Sequence, residues 1–247
     1  SMVQGPTSDP AAIGDDPKAI RKQVKRWIKD KQVDVVITTG GTGFTGPFQV
    51  KYALSRGHKV TVFNRGKTHP GELPKEVEQL TGDRNGQLEA LKGKQWDVCI
   101  DNPTTLPAWV RDAAQILKGN VERYIFISTI SVYADTSTGP DENTPLAKYE
   151  GADPFKETLE AMKASGYKTY GPLKALSEQE TEKWFPDKSL IIRPGLIVGP
   201  RDETDRFSYW PVRIARGGGR LKRTGSRRRG DTVAQLVVRW HVRDLRP

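Results

Sequence analysis

The chain has 247 residues, of which 35% are hydrophobic, and 40 Lys and Arg against 30 Asp and Glu give it a formal net charge of +10. This length can hold one large α/β domain, or one domain with a small appendage. The sequence shows no signal peptide and no apolar run near the roughly 20 residues that span a bilayer. The single cysteine, Cys99, excludes an internal disulfide and a cysteine-cluster metal site. Together these observations favour a cytoplasmic protein.

The N-terminal region divides into two parts. Residues 1–13 are polar and contain Gly and Pro, which predicts disorder. A helix is predicted over residues 15–31, because an Asp-Asp-Pro start signal precedes an apolar stripe of Ile20, Val24 and Ile28.

The segment from Val33 to Arg65 predicts a strand, a glycine turn, a helix and a second strand. The run Val-Val-Ile at 35–37 is typical of a buried strand, and three glycines spaced by three residues follow it. In this order of elements, a glycine turn lets a dinucleotide pyrophosphate approach the helix N-terminus. The residues expected to contact a cofactor here are Gly40, Thr42, Gly43, Phe44, Thr45 and Gly46. The alternative is a glycine-rich turn with no ligand.

Apolar runs and helical spacings continue to alternate after Arg65. The predicted elements are an edge strand, a short helix and a strand within 82–101, a helix over 104–119, a strand over 123–129, a loop over 134–153, a helix over 169–185 and a strand with its exit loop over 188–199. Cys99 lies in one strand-like run, which predicts a buried thiol. The alternation predicts an α/β fold with a doubly wound, Rossmann-like parallel sheet and helices on both faces.

Residues 14–43, with the sequence GDDPKAIRKQVKRWIKDKQVDVVITTGGTG, resemble the molybdopterin-binding proteins of molybdenum-cofactor biosynthesis. In that family the TTGGTG turn receives the phosphate of a pterin. The strand and helix that precede this segment in the family are not in the chain, and the residues after Gly43 depart from the family pattern.

A second resemblance runs from the same glycines to about residue 218. It rests on TGGTGFTG at 39–46, VTVFNRGK at 60–67, TGDRNG at 81–86, FISTISVYAD at 126–135, YGPLK at 170–174 and IIRPGLIVGP at 191–200. These motifs resemble the extended short-chain dehydrogenase/reductase superfamily, in particular its NAD-dependent epimerase/dehydratase-like or isoflavone-reductase-like proteins. The two resemblances meet at the Gly-Gly-Thr-Gly turn, which favours a recombined or engineered chimera.

With residues 1–13 taken as a disordered or tag-derived segment, this resemblance divides the chain into three regions. Residues 14–218 form the NAD(P)-binding domain with an extra N-terminal helix, and residues 219–247 are an atypical basic tail or the remnant of a truncated substrate region. The tail holds nine basic and two acidic side chains, a net charge of +7. A nucleic-acid-binding tail and an ordinary solvated basic segment are the two interpretations of that charge.

Tyr170 and Lys174 are the candidate catalytic pair. Four residues apart on a helix, the two side chains share one face, and a Lys ammonium lowers the pKa of a neighbouring tyrosine from its ordinary value of about 10. Tyr170 could then act as acid and base near neutral pH. The resemblance implies that Lys174 also holds the nicotinamide ribose. The alternative is an ordinary Tyr and Lys on a helix.

The resemblance also implies a Ser or Thr that binds the substrate oxygen at the end of the fifth strand. Thr129 is the candidate, with Ser128 and Ser131 as competitors. The alternative is a strand end whose hydroxyls satisfy their own backbone.

The end of the second strand decides the cofactor. An acidic residue there would bind the ribose diol of NAD, but the chain has Asn64 followed by Arg65 and Lys67, which favours the 2′-phosphate of NADP over NAD. The resemblance implies that Asp83 touches the adenine edge. The three histidines show no metal-ligand spacing, so no metal site is predicted.

The expected function is therefore an NAD(P)-dependent oxidoreductase or epimerase that transfers hydride at a hydroxyl or carbonyl carbon, acting on a small molecule and able to form a homodimer. The candidate substrate-contacting residues are Ser131, Arg193, Arg206 and Tyr209. Three alternatives stay open: an inactive dinucleotide- or RNA-binding protein, a molybdopterin-binding protein, and a chimera without selected activity.

Overall fold

A computed structural model describes residues 33–38, 43–102, 105–137, 139–141, 143–202 and 212. The predicted N-terminal helix and basic tail lie outside these residues. In the described part no helix is long and apolar enough to cross a membrane.

Six parallel strands form one sheet. In chain order they are β1 (Asp34–Thr38), β2 (Lys59–Asn64), β3 (Glu78–Thr81), β4 (Trp96–Asp101), β5 (Val121–Ile127) and β6 (Ser189–Ile192). Their spatial order is β3-β2-β1-β4-β5-β6, and every neighbouring pair is parallel. The predicted doubly wound Rossmann-like sheet is therefore confirmed, and its order reverses between β1 and β4, where ligands bind in such sheets.

Within the described residues, four α-helices connect the strands. They are α1 (Gly46–Ser55), α2 (Pro107–Leu117), α3 (Leu159–Ala164) and α4 (Tyr170–Trp184). Successive side chains of a strand point to opposite faces, so Val35 and Ile37 pack with Val50 of α1, while Val36 packs with Val110 of α2 on the other face. Because both faces are covered, the strands read as continuous apolar runs.

The third strand differs from the sequence prediction, and the helix α3 was not predicted. The edge strand was expected after Gly82, but β3 ends at Thr81, and residues 82–86 form a loop in which the Asp83 carboxylate accepts the Asn85 N–H at 2.9 Å. β3 pairs with one neighbour and reads Glu-Gln-Leu-Thr, with no buried residue. An edge strand this short and polar carries no apolar signal.

Cys99 lies in the middle of β4, between Val36 of β1 and Tyr124 of β5. Its thiol is fully buried, as the sequence predicts, and burial raises its pKa well above the ordinary range. The thiol therefore belongs to the core and is not a nucleophile.

Candidate functional site

The carboxyl ends of β1, β2 and β5 are followed by most of the predicted site residues. All strands of the sheet run parallel, so the loops after these three strands share one edge. Gly40 and Thr42 of the glycine turn lie outside the described residues, as do Arg206 and Tyr209. For these four the predicted contacts stay predictions.

The described end of the glycine turn leads directly into α1. Thr45 precedes the helix, and its carbonyl oxygen accepts the N–H groups of Phe48 and Gln49, each at 3.2 Å. The first turn of α1 holds no acidic residue, and the Thr45 side chain makes no capping bond. The first turn therefore does not neutralise the positive end of the helix dipole, which can stabilise an anion. Gly43 and Phe44 directly precede Thr45 and form the rest of the described part of the glycine turn.

The loops after β2 and β3 hold the residues expected to face an adenosine group. The Asn64 side chain accepts the Gly66 N–H at 2.7 Å, and the Asn64 carbonyl oxygen accepts the Gly82 N–H at 3.0 Å, so the two loops are joined. Arg65 and Lys67 are exposed, with no carboxylate next to them in the sequence. Asp83 is half-buried in its own turn.

The end of β5 enters a single 3₁₀ turn over Ile130–Val132. Thr129 caps that turn: its hydroxyl accepts the Ser131 N–H at 3.1 Å and donates to the Ser131 hydroxyl at 3.2 Å. Ser128 is buried and donates to Glu178 of α4. The Thr129 hydroxyl is therefore only partly buried at the end of β5, whereas the Ser128 hydroxyl is buried and bonded to Glu178.

Helix α4 carries Tyr170 and Lys174, the candidate catalytic pair. Both lie in its first two turns, as the sequence predicts. The Lys174 Nζ donates to the Ile127 carbonyl oxygen at 2.6 Å, and Gly171 packs directly on the backbone of Ser131. The structure therefore places Lys174 at the end of β5, while the Tyr170 ring packs against an apolar cluster that includes Leu173 of the same helix. A shared site of Tyr170, Lys174 and Thr129 stays a prediction.

The close approach at Gly171 allows a first prediction. A Cβ added there would lie 2.1 Å from the Ser131 carbonyl oxygen, and backbone on both sides leaves no flexible atom to give way. We expect Gly171→Ala to destabilise the protein by about 1–3 kcal/mol, although alanine is the better helix former by about 1 kcal/mol. Urea unfolding measures the change. The control is Gln179→Ala on the exposed side of α4, and a Gly171→Ala protein as stable as that control would contradict the prediction.

Lys174 lies in an unusual environment for an ammonium group. Only 2% of the residue is exposed, and its Nζ lies 4.1 Å from the centre of the Phe126 ring. Burial lowers the Lys174 pKa to about 7, against the opposing effect of Asp101 and Glu178, whose charges raise it. Lys174 is therefore poised between its two protonation states near neutral pH.

Two buried ion pairs surround this region, and the sequence analysis identified neither. Arg84 pairs with Asp101, and Arg193 pairs with Glu178. Arg193 was expected to contact substrate. The structure places it in the interior, where its Nη1 donates to the Tyr133 hydroxyl at 3.1 Å, so these contacts are structural and the substrate contact stays a prediction. One sequence signal could have indicated these buried charges: Asp101 ends the apolar run WDVCID, and Arg193 ends the apolar run SLIIR.

The described residues lack the arrangement of ligand side chains that a metal site needs. In the described ranges no group of three or more His, Cys, Asp and Glu side chains is arranged to hold a metal ion.

Comparison with known proteins supports both resemblances. The family described as "Probable molybdopterin binding domain" matches residues 5–122, slightly less than half of the chain and further than the 14–43 segment predicted from the sequence. The chain is 27% identical over 186 residues to the chloroplast stem-loop binding protein of 41 kDa b of Arabidopsis thaliana, covering 64% of this chain and 47% of that protein. It is 24% identical over 200 residues to a Synechocystis sp. protein provisionally named dihydroflavonol 4-reductase, covering 73% and 53% of the two chains.

A solved structure shares the fold. The enzyme WbmH of Bordetella bronchiseptica, crystallised with NAD⁺, aligns with a TM-score of 0.56 at 17% identity, covering 75% of this chain and 63% of that one. The chain spans about half the length of the two curated relatives. The predicted resemblance to molybdopterin-binding proteins over residues 14–43 lies within the family match, and the Rossmann-like fold that the second resemblance implies is shared with WbmH.

Proposed function

We propose that the chain binds a nicotinamide dinucleotide along the carboxyl edge of its sheet and acts as an oxidoreductase or epimerase on a hydroxyl or carbonyl group. The observation that carries the proposal is that Lys174 of α4 reaches the carboxyl end of β5, two strands away from β1, whose end leads into the glycine turn. The NAD⁺ complex of WbmH, which has this fold, supports it.

The residues present fit such a cofactor. The glycine turn leads into a helix whose positive end can face a pyrophosphate, and the loop after β2 offers the exposed cations Arg65 and Lys67. Because no carboxylate stands beside them in the sequence, we propose NADP as the preferred form and NAD as the alternative. When bound, the nicotinamide accepts or supplies the hydride.

The proton is handled by the protein. When the substrate is an alcohol, the Tyr170 phenolate takes the hydroxyl proton as hydride leaves the same carbon; in the reverse direction the Tyr170 hydroxyl returns the proton to the oxygen. The Thr129 hydroxyl holds the substrate oxygen. Lys174, in its protonated form, stabilises the phenolate by its charge.

Calorimetry with NADPH and with NADH tests the binding step. We expect saturable binding of both cofactors and tighter binding of NADPH, with the preference lost in Arg65→Gln/Lys67→Gln, because those side chains would contact the 2′-phosphate. Absence of saturable binding for either cofactor would overturn the proposal.

Tyr170→Phe tests the chemical step. On a carbonyl or sugar-nucleotide substrate found by screening, we expect kcat to fall at least about a hundredfold while the NADPH Kd stays unchanged, because only the proton donor is removed. Tyr167→Phe, at an exposed tyrosine one turn before Tyr170, is the matched control and should retain kcat. Full turnover by the Tyr170→Phe protein would exclude the assigned role, and cofactor binding without turnover across the panel would favour an inactive dinucleotide-binding protein.

We propose RNA binding as the second candidate, because the Arabidopsis relative is named as a stem-loop binding protein and the last 29 residues carry a net charge of +7. Phosphate contacts would make the affinity fall steeply with salt. Fluorescence anisotropy with a labelled stem-loop RNA is the test. Replacement of Arg227, Arg228 and Arg229 by glutamine should weaken binding and reduce its salt dependence, and unchanged binding would argue against the tail as the contact surface.

We propose pterin binding as a third candidate, because the molybdopterin family model covers residues 5–122. Both families use the glycine turn to approach a phosphate, and the molybdopterin-family match continues beyond this turn to residue 122. A pterin detected by its fluorescence in the purified, denatured protein would support this candidate, and its absence would count against it.

A further inference from the structure

The loop after β3 is tied to the end of β4 by a buried ion pair. The Arg84 Nη1 contacts one carboxylate oxygen of Asp101, and its Nη2 donates to the other at 2.9 Å. The two residues are 2% and 0% exposed. Because β2 and β1 lie between these strands, roughly 14 Å separates the axes of β3 and β4. The loop must therefore fold across the ends of β2 and β1 to place Arg84.

Asp101 also holds the end of β1, the strand that leads into the glycine turn. The Thr38 hydroxyl donates to Asp101 Oδ1 at 2.9 Å, and the Asn102 N–H donates to the Thr38 carbonyl oxygen at 3.1 Å. The Tyr124 hydroxyl donates to Asp101 Oδ2. Both carboxylate oxygens therefore accept hydrogen bonds from more than one element, which fixes the carboxylate in one orientation.

The same strand end fixes α1. The side-chain amides of Asn102 and Gln49 exchange two hydrogen bonds, at 2.6 and 3.1 Å. On the other side of Arg84, Asp83 is held by its own loop, where its carbonyl oxygen accepts the Gln87 N–H at 2.8 Å. Hydrogen bonds therefore tie the elements on both sides of the ion pair to their neighbours.

We infer that Arg84 and Asp101 are positioning residues that hold the loop after β3, the end of β1 and, through Asn102, helix α1 as one unit, so that the adenosine end and the pyrophosphate end of the cofactor site are assembled together. The inference rests on the proposed cofactor site. Neither residue needs to touch the cofactor. Because these two residues hold the elements in place before the cofactor binds, binding does not have to supply the conformational entropy of ordering them separately.

A double-mutant cycle on NADPH affinity tests this inference. Arg84→Met removes the guanidinium, and Thr38→Val removes the hydroxyl that reaches the same carboxylate from β1. We expect Arg84→Met to bind NADPH at least about tenfold more weakly than the wild-type protein. If both substitutions disrupt the same unit, the double variant should bind NADPH about as weakly as Arg84→Met alone. Two independent roles would instead multiply the two losses, and that result would overturn the inference.

Two further variants keep the cycle interpretable. Leu117→Ala opens a cavity at the opposite end of the sheet, and it should lower the melting temperature and leave the NADPH Kd within about twofold. Arg84→Lys keeps the charge but cannot make the two-point contact, so its affinity should lie between wild type and Arg84→Met, and it serves in the cycle if Arg84→Met does not fold. Wild-type NADPH affinity in Arg84→Lys and Arg84→Met would also overturn the inference. No binding by the wild-type protein would instead refute the proposed function.

Discussion

Glu178→Leu should lower the free energy of unfolding by about 3–5 kcal/mol, because it leaves the Arg193 guanidinium buried without its counter-charge. In the wild-type protein the Arg193 Nε and Nη2 donate to the two Glu178 carboxylate oxygens at 2.9 and 2.6 Å, and each residue is only 2% exposed. The same substitution also removes the acceptor of the Ser128 hydroxyl. Guanidinium chloride unfolding at pH 7 measures the loss.

The double variant Glu178→Leu/Arg193→Met separates charge from packing. Removing both charges should recover most of the lost stability, since no buried ion then lacks a partner. Lys156→Met, which breaks an exposed pair with Asp153, should cost less than about 1 kcal/mol. If the double variant were no more stable than Glu178→Leu, the loss would come from packing and the explanation by uncompensated charge would be wrong.

Lys174→Met should change how stability depends on pH. The folded protein lowers the Lys174 pKa to about 7 from its ordinary value, so between pH 7 and about 10 the unfolded chain binds this proton and the folded protein does not. The contribution of Lys174 to the free energy of unfolding therefore rises with pH across this window, by up to about 1.4 kcal/mol per pH unit. This contribution is lowest below pH 7. A complete shift of this size corresponds to roughly 4–5 kcal/mol.

The measurement is chemical unfolding of the wild-type and Lys174→Met proteins at several pH values from 6 to 9. The variant should lack the rise above pH 7, so the difference between the two curves isolates Lys174. The neighbouring charges of Asp101, Glu178 and Arg84 are present in both proteins, as are the buried Cys99 and Tyr124, whose pKa values burial raises. Parallel stability curves would show that Lys174 keeps its ordinary pKa in the folded protein.

Much of the fold could be predicted from the sequence because the sheet interior is chemically uniform. Runs such as the one at 35–37 lie between two covered faces, and the glycines that follow indicate where a strand ends and a helix begins. The helix carrying Tyr170 and Lys174 begins at Tyr170 in the structure, close to the predicted boundary. β3 was misplaced because an exposed edge strand needs no apolar pattern.

The buried ion pairs could not be predicted, because each joins residues that are distant in the chain. Arg84 and Asp101 are 17 residues apart, and Thr38 is 63 residues from Asp101. Only the strand order brings them together, and a lone Arg in a Gly-Asp-Arg-Asn-Gly loop reads as an exposed turn residue. The burial of Lys174 was missed for the same reason, since the spacing from Tyr170 fixes a helix face but not its solvent exposure.

The position of Cys99 has a practical consequence for experiments on this chain. It is the single cysteine of all 247 residues, and it sits in a strand with paired neighbours on both sides. The Cys99 side chain points to the face of the sheet that α2 covers, so a thiol reagent can reach it only after this packed layer has moved away from the sheet. The rate of labelling by such a reagent therefore reports the opening of the core on this face, without any engineered probe, and can serve as a common stability assay for every variant discussed above.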